Sequence, residues 1–262
     1  MTASRLVVIG QGYVGLPLAM RAVAVGYDVI GHDVDEQRVA ALAAGTSYID
    51  DVGAEQLGAA LRTGRYRPTA EIADGKSFDI AVITVPTPLR EGLPDVSHIE
   101  QACELLSPYV TPGCCVVLES TTYPGTTVEV VGPILERGSG LVAGPDFRLG
   151  YSPERIDPGN DTWRLENTPK LVAGIDAESL AEVKAFYDTI VETTVPMSGT
   201  AEAELAKLVE NTFRHVNIAL VNELAMVSFE LGIDIWEALR GAATKPFGYM
   251  KFLPGPGVGG HC

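Results

Sequence analysis

The sequence predicts an α/β protein, a doubly wound parallel sheet followed by a long helical region. Three observations carry that expectation. Short apolar runs alternate with segments of helical periodicity as far as residue 197. A glycine-rich turn, Gly10-Gln11-Gly12-Tyr13-Val14-Gly15, joins the first run to the first helix. Beyond Ser198-Gly199-Thr200 the alternation gives way to one unbroken helical pattern.

Leu6-Val7-Val8-Ile9 is a continuous apolar run of the kind a parallel sheet buries on both faces. Apolar residues at helical spacing follow from Val14 to Val25 and stop at Gly26. Asp28 to Asp33 reads as the second strand, and Asp35 to Ala44 as a helix with Gly45 as its stop. Ile80 to Val85 is a buried strand ended by Pro86-Thr87-Pro88, and Cys114 to Glu119 is another. The stretch from Tyr151 to Pro169 is the least regular, and segments of that length are usually functional or mobile. Lys170 to Gly174 resumes the strand pattern, Ala177 to Ile190 is a helix, and Glu192 to Val195 a short strand. From Ala201 to Leu231 a single helix is predicted, with Glu202 and Glu204 in its first turn and Gly232 as its stop. Such a helix is about 45 Å long. That exceeds an ordinary crossover, so it is expected to be the spine of a second region and an oligomer interface. The expected division is 1–197 for the dinucleotide-binding sheet domain and 198–262 for the central helical region.

A net charge of −15 argues against nucleic acid and anionic membranes as partners. An anionic substrate then needs a local cationic pocket. Cys103, Cys114, Cys115 and Cys262 form no CxxC pair, so neither a disulfide framework nor a metal site is expected. No charged leader precedes Arg5 and no run of about 18 apolar residues occurs. A cytoplasmic protein is expected.

The glycine turn follows a strand, opens a helix and lies ahead of Asp33 at the end of the second strand, the Rossmann-like context of a dinucleotide fingerprint. Gly10, Gly12, Tyr13, Val14 and Gly15 are the candidate pyrophosphate cradle, and Asp33 the acceptor for ribose hydroxyls. Asp33 repels a 2′-phosphate and favours NAD over NADP, with Arg38 nearby as the complication. Pro86, Thr87, Ser120 and Thr121 follow strands and fall where the nicotinamide half lies, although each alone also suits an ordinary turn. Lys207 and Asn211 share one helix face, with Arg214 and His215 a further turn along; they read as an oxyanion-stabilising pair or as a solvated polar stripe. Glu154 is a candidate general base, or else a loop carboxylate paired with Arg155. Cys262 ends the permissive run Pro254-Gly255-Pro256-Gly257-Val258-Gly259-Gly260-His261. Beside His261 it reads either as a thiolate nucleophile or as a free loop cysteine.

Together these motifs resemble the N-terminal and central portions of the UDP-glucose/GDP-mannose dehydrogenases, NAD-dependent four-electron oxidoreductases. The resemblance rests on Gly10 to Gly15, Val85-Pro86-Thr87-Pro88, Glu119-Ser120-Thr121, Ser152-Pro153-Glu154, Glu204-Leu205-Ala206-Lys207 with Asn211, and Gly259-Gly260-His261-Cys262. It implies oxidation of the C6 hydroxyl of a nucleotide sugar to a carboxylate with two NAD+ per turnover. By that resemblance Cys262 carries the thiohemiacetal and thioester, Lys207 and Asn211 stabilise the C6 oxyanion, Thr121 positions water and Glu154 serves thioester hydrolysis. Arg155, Arg214, His215, Gly259, and Tyr249 and Phe252 of the segment 247–252 are the implied substrate contacts. The run 151–160 and the His-Cys pair look closer to UDP-N-acetylhexosamine 6-dehydrogenases, with UDP-N-acetylglucosamine the first expectation and the galacto and manno epimers open. Family chains continue past the cysteine with an aspartate and a UDP-binding domain that this sequence lacks. The chain is therefore expected to fold, bind NAD and pair as a homodimer through the long helix, with weak or absent activity by itself. The competing expectations are a β-hydroxyacid-type dehydrogenase, which needs no thiol, and a non-catalytic NAD-binding or oligomerising module.

Overall fold

Residues 4–156, 160 and 162–257 are described by the computed structural model, which divides into the units Met1–Lys207 and Leu208–Cys262. In the first unit the chain runs through β1 (Arg5–Ile9), α1 (Gly15–Ala24), β2 (Asp28–His32), α2 (Glu36–Ala43), α3 (Ala54–Arg62) and β3 (Tyr66–Thr69). It then crosses back to β4 (Ile80–Ile83) on the other side of β1. An exposed antiparallel hairpin of β5 (Leu89–Arg90) and β6 (Leu93–Pro94) follows. Next come α4 (Ser97–Leu106), β7 (Cys115–Leu118), α5 (Gly132–Ser139), β8 (Arg148–Tyr151), β9 (Lys170–Gly174), α6 (Ala177–Ile190) and β10 (Thr194–Pro196). The main sheet has the order β10-β9-β8-β7-β4-β1-β2-β3. All its pairings are parallel except β8 with β9. Among the described residues no helix crosses between those two strands, and a chain returning without a crossover enters antiparallel.

Both faces of β1 are buried, which explains its unbroken apolar run. Leu6 and Val8 pack with residues of α1 and α6, including Leu16, Met20 and Phe186. Val7 and Ile9 pack on the opposite face with residues of α4 and α5, including Ile99 and Leu135. Each fully buried aliphatic side chain contributes about 1.5–3 kcal/mol of transfer free energy. The helices start where the sequence supplies caps. The Asp35 carboxylate accepts from the N–H groups of Gln37 and Arg38 at the head of α2, and Asp176 accepts from that of Ser179 at the head of α6.

Several elements escape the periodicity. In β3 the edge strand is Tyr-Arg-Pro-Thr, and a proline is tolerated there because an edge strand leaves one side unpaired. Strand β8, Arg-Leu-Gly-Tyr, has Gly150 because a Cβ would lie 2.3 Å from the Ala173 carbonyl oxygen and 2.6 Å from Val183 Cγ2. Tyr151 thus closes a strand instead of opening an irregular segment.

Helix α7 (Thr200–Glu230) begins in the first unit and enters the second, where α8 (Ile235–Ala242) follows. Within the second unit Phe213 and Phe252 meet edge to face at 5.8 Å, and the Gly255 N–H donates to Asn222 Oδ1 at 2.9 Å. Val209, Phe213, Val216, Leu220, Leu224 and Val227 are exposed at spacings of three and four residues, so they form one apolar stripe along α7. Among the described residues no helix is long and apolar enough to cross a membrane.

Candidate active site

Strands β2 and β3 wind to one side of β1 and β4 begins on the other, so a crevice opens between the carboxyl ends of β1 and β4. Gly10 leaves β1 with φ of +94°, and a Cβ there would lie 2.8 Å from the Thr84 carbonyl oxygen. At Gly15 a Cβ would lie 1.8 Å from the carbonyl oxygen of Gly10, so α1 starts directly against the end of β1. Gly12 is different, because a Cβ there would meet nothing within 4 Å. Its backbone faces open space, the condition for close approach of a pyrophosphate to the start of a helix. The residues present therefore fit a dinucleotide.

Buried polar groups hold the turn in shape. The Asp33 carboxylate accepts from the Gln11 N–H at 2.9 Å and from the Asp35 N–H at 3.0 Å, and Arg38 lies 3.7 Å away. Lone pairs remain for ribose hydroxyls, and the carboxylate charge opposes a 2′-phosphate. Arg38 also pairs with Asp35 at 3.4 Å. Gln11, which carries no signal in the spacing of the glycines, is fully buried. Its Nε2 donates to the Val8 carbonyl at 3.0 Å, while Tyr66 Oη donates to its Oε1 at 2.8 Å and Tyr48 Oη to its carbonyl at 2.6 Å. Burial, reinforced by Asp33, pushes the Tyr48 phenol up to about 12, so it stays a donor. Thr84 Oγ1 lies 2.9 Å from the Ile9 carbonyl and 2.8 Å from that of Gly10, bracing the turn from β4. Tyr13 is exposed in front of α1.

Further along the same edge, Ser120 Oγ donates to the Val85 carbonyl at 2.7 Å and Thr87 Oγ1 to the Thr121 carbonyl at 2.7 Å. These hydroxyls stitch the exits of β4 and β7 together and set the path of Pro86 and Thr121. Glu204, near the start of α7, is buried against the next stretch of chain. It accepts from the Gly125 N–H at 2.6 Å, the Thr127 N–H at 2.9 Å and Thr127 Oγ1 at 2.6 Å. Its apolar neighbours in the motif disguise this docking function. Lys207, one turn later, is buried as well.

After β8, Glu154 is 9% exposed. Its Oε1 accepts from the N–H groups of Arg155 (2.6 Å) and Ile156, and its Oε2 lies 3.9 Å from Lys170 Nζ. Arg155 Nη1 donates to the Pro169 carbonyl at 2.6 Å. Lys170 forms a buried ion pair with Glu119, whose second oxygen accepts from Tyr187 Oη at 2.8 Å. Burial pushes Glu119 up to about 7 against the pull of Lys170, with the Glu154 charge adding to the rise. Nothing in the alternation of apolar residues marks Glu119, Lys170 or Tyr187, since each sits at a strand end or on a buried helix face.

Residues 4–191 match the NAD binding domain of the UDP-glucose/GDP-mannose dehydrogenase family, and residues 201–262 match its central domain. The chain belongs to that family. Its first unit carries the family's NAD-binding domain. Over 261 residues it is 41% identical to a UDP-N-acetyl-D-glucosamine 6-dehydrogenase of Salmonella typhi, spanning 98% of this chain and 60% of that protein. A UDP-N-acetyl-D-mannosamine dehydrogenase of Pyrococcus horikoshii is 35% identical over 98% of this chain and 62% of its own length. A solved structure of UDP-D-ManNAc dehydrogenase from Pyrococcus horikoshii superposes with a TM-score of 0.94 at 35% identity, covering 98% of this chain and 62% of that one. The chain thus spans about three fifths of the length of these relatives.

The remaining implied site residues of this family member fall in the second unit or outside the described residues. Arg214 Nη2 donates to Asn211 Oδ1 at 2.9 Å, which holds the amide's orientation on α7. His215 is exposed on the same helix, Tyr249 is exposed and Phe252 packs on Phe213. Gly259, His261 and Cys262 lie outside the described residues.

The two glycines at the start of α1 are expected to respond differently to an added methyl group. Gly15→Ala should destabilise the chain by about 1–3 kcal/mol of overpacking in urea unfolding, whereas Gly12→Ala leaves the unfolding midpoint nearly unchanged and weakens NAD+ binding measured by calorimetry. For Glu119, an ordinary carboxylate titrates near 4.5 and the folded chain holds the proton to about 7. The folded state therefore binds more protons in that window, and the stability contributed by Glu119 is complete below it and lost as pH rises through it. In urea melts at about pH 5 and about pH 8, Glu119→Gln is expected to remove this part of the decline; an unchanged pH dependence would count against it.

Proposed function

We propose that this chain is the cofactor-binding and central part of an NAD-dependent nucleotide-sugar 6-dehydrogenase acting on a UDP-N-acetylhexosamine. One observation carries the reading. At the carboxyl ends of β1, β4, β7 and β8 an open-glycine dinucleotide cradle shares an edge with a buried carboxylate, Glu154, on a chain matched to the family through Cys262. UDP-N-acetylglucosamine is the favoured substrate. Its 6-dehydrogenases are 41% and 39% identical to this chain, against 35% for the Pyrococcus horikoshii mannosamine enzyme.

The turn from Gly10 to Gly15 and Asp33 would hold NAD+, which would supply the hydride acceptor for each of two oxidations at C6. Everything else falls to the protein. Lys207 and Asn211 stabilise the C6 oxygen as its proton leaves, as preorganised donors do in a site that excludes water. The Cys262 thiolate adds to the C6 aldehyde, giving a thiohemiacetal that loses the second hydride to leave a thioester. Water, positioned by Thr121 and deprotonated by Glu154, breaks the carbon–sulfur bond and returns the thiol with a carboxylate. The covalent tether keeps the aldehyde from escaping between oxidations. The other thiols make poor nucleophiles, because Cys103, Cys114 and Cys115 are buried and desolvation pushes each of them up, Cys103 to about 12. Arg155, Arg214, His215, Tyr249, Phe252 and Gly259 are proposed to hold the sugar and its diphosphate. The apolar stripe on α7 supports pairing of two copies. A cytoplasmic setting supplies both NAD+ and nucleotide sugars.

The test is stoichiometric. With UDP-N-acetylglucosamine and NAD+, the protein joined to any further family domain is expected to form two NADH per sugar consumed, and Cys262→Ala to lose turnover by ~10⁴-fold or more. One NADH per sugar, with Cys262→Ala fully active, would identify a simple hydroxyl dehydrogenase instead. No NADH with any UDP-N-acetylhexosamine would leave a cofactor-binding module.

A further inference from the structure

Outside the groups the proposed reaction uses, a deeply buried ion pair of the first unit lies at Lys170. Lys170 is 4% exposed and Glu119 is 1% exposed. Taking a lysine and a carboxylate out of water costs several kcal/mol for each ion, and a buried pair does no more for stability than well-packed apolar residues often do. Stability is therefore a weak reason for this pair. Its connections supply a better one.

Among the described residues the Lys170 ammonium has three oxygen neighbours. One is Glu119 Oε1. The others, the Pro153 carbonyl at 3.2 Å and Glu154 Oε2 at 3.9 Å, belong to the segment that carries the site carboxylate. Tyr187 holds the arrangement from α6, donating to Glu119 Oε2 at 2.8 Å while its ring lies 5.0 Å from the ammonium. The Glu154 carboxylate is thus gripped from two sides: Oε1 by the backbone N–H groups of Arg155 and Ile156, and Oε2 by the ammonium. Glu119 cannot swing away from Lys170 without breaking the Tyr187 bond, and Lys170 cannot leave without stranding Glu119.

We propose that Lys170 and Glu119 are positioning residues for Glu154, fixing its orientation and the charge beside it from a buried cluster that touches neither cofactor nor sugar. The inference rests on Glu154 being an acid–base group of the proposed reaction. The groups that face Glu119 are Lys170 on β9, Glu154 after β8, Tyr187 on α6 and, by its charge interaction, Tyr151 on β8. Through the shared lysine the two carboxylates are energetically coupled, and coupling is reciprocal.

Two measurements test this, and the first needs no turnover. In the chain labelled with ¹³C-glutamate, one carboxyl resonance is expected to titrate close to neutral pH and to vanish in Glu119→Gln. In Glu154→Gln that step is expected to move down by roughly half a pH unit, because a like charge that raises it has gone. A step that stays in place in Glu154→Gln would overturn the coupling. The second measurement is kinetic. Lys170→Met alone strands a buried carboxylate and risks unfolding, so the double variant E119Q/K170M removes the pair together. It is expected to lower kcat by ~10–100-fold through misplacement of Glu154, to accumulate enzyme-bound thioester seen by intact mass, and to keep KM for NAD+ within about twofold. Lys170→Arg is expected to restore most of the rate. Unchanged kcat, pH profile and thioester level in the folded double variant would overturn the positioning function. If the unsubstituted protein forms no NADH, the dehydrogenase reading fails, and the titration still decides whether the cluster is coupled to Glu154.

Discussion

The approach of α1 to the end of β1 is the constraint on which the site depends. With Gly10 and Gly15 in contact, the helix can begin only at the mouth of the crevice between β1 and β4. Any side chain at Gly15 would push α1 outward and take the helix N-terminus with it. The positive end of the helix dipole, the open face of Gly12 and the Asp33 carboxylate are all placed by that one contact. Thr84, Gln11, Tyr48 and Tyr66 do not add a second site; they satisfy the polar atoms that so tight a turn would otherwise bury unpaired.

Charge is used locally against the global balance. A chain of −15 repels a nucleoside diphosphate at long range, so cations matter where they are placed and desolvated. Lys170 and Lys207 are both buried in the first unit, one gripped by Glu119 and the other one turn beyond Glu204. Glu119 stands at the exit of β7 and pairs with Lys170, while Glu204 accepts from Gly125 and Thr127 farther along the same exit. The segment bearing Ser120 and Thr121 runs between them.

Much of the architecture was legible because strands buried on both faces and helices buried on one leave periodic traces. The runs 6–9, 80–85 and 114–119 become β1, β4 and β7, and the helix read as Ala201–Leu231 is Thr200–Glu230. Strands β3 and β8 left no such trace, since the edge position admits Pro68 and the close approach to Ala173 demands Gly150. The candidates Gly10, Asp33, Thr87, Ser120, Thr121 and Glu154 follow strand ends, where the winding rule puts them, whereas Arg38 and Lys207 lie on helices.

Sequence by itself determined the alternation, the cradle and the preference of Asp33 for an unphosphorylated ribose, because each follows from local spacing and from the few residue types a tight turn admits. Only the tertiary structure decided that Glu154 shares a lysine with Glu119, that Tyr187 closes the cluster, and that Glu204 docks the long helix. Those contacts join residues 16 to 79 positions apart. A buried ion pair leaves no periodic mark in a sequence: its partners are chosen by which strand ends the sheet order brings together.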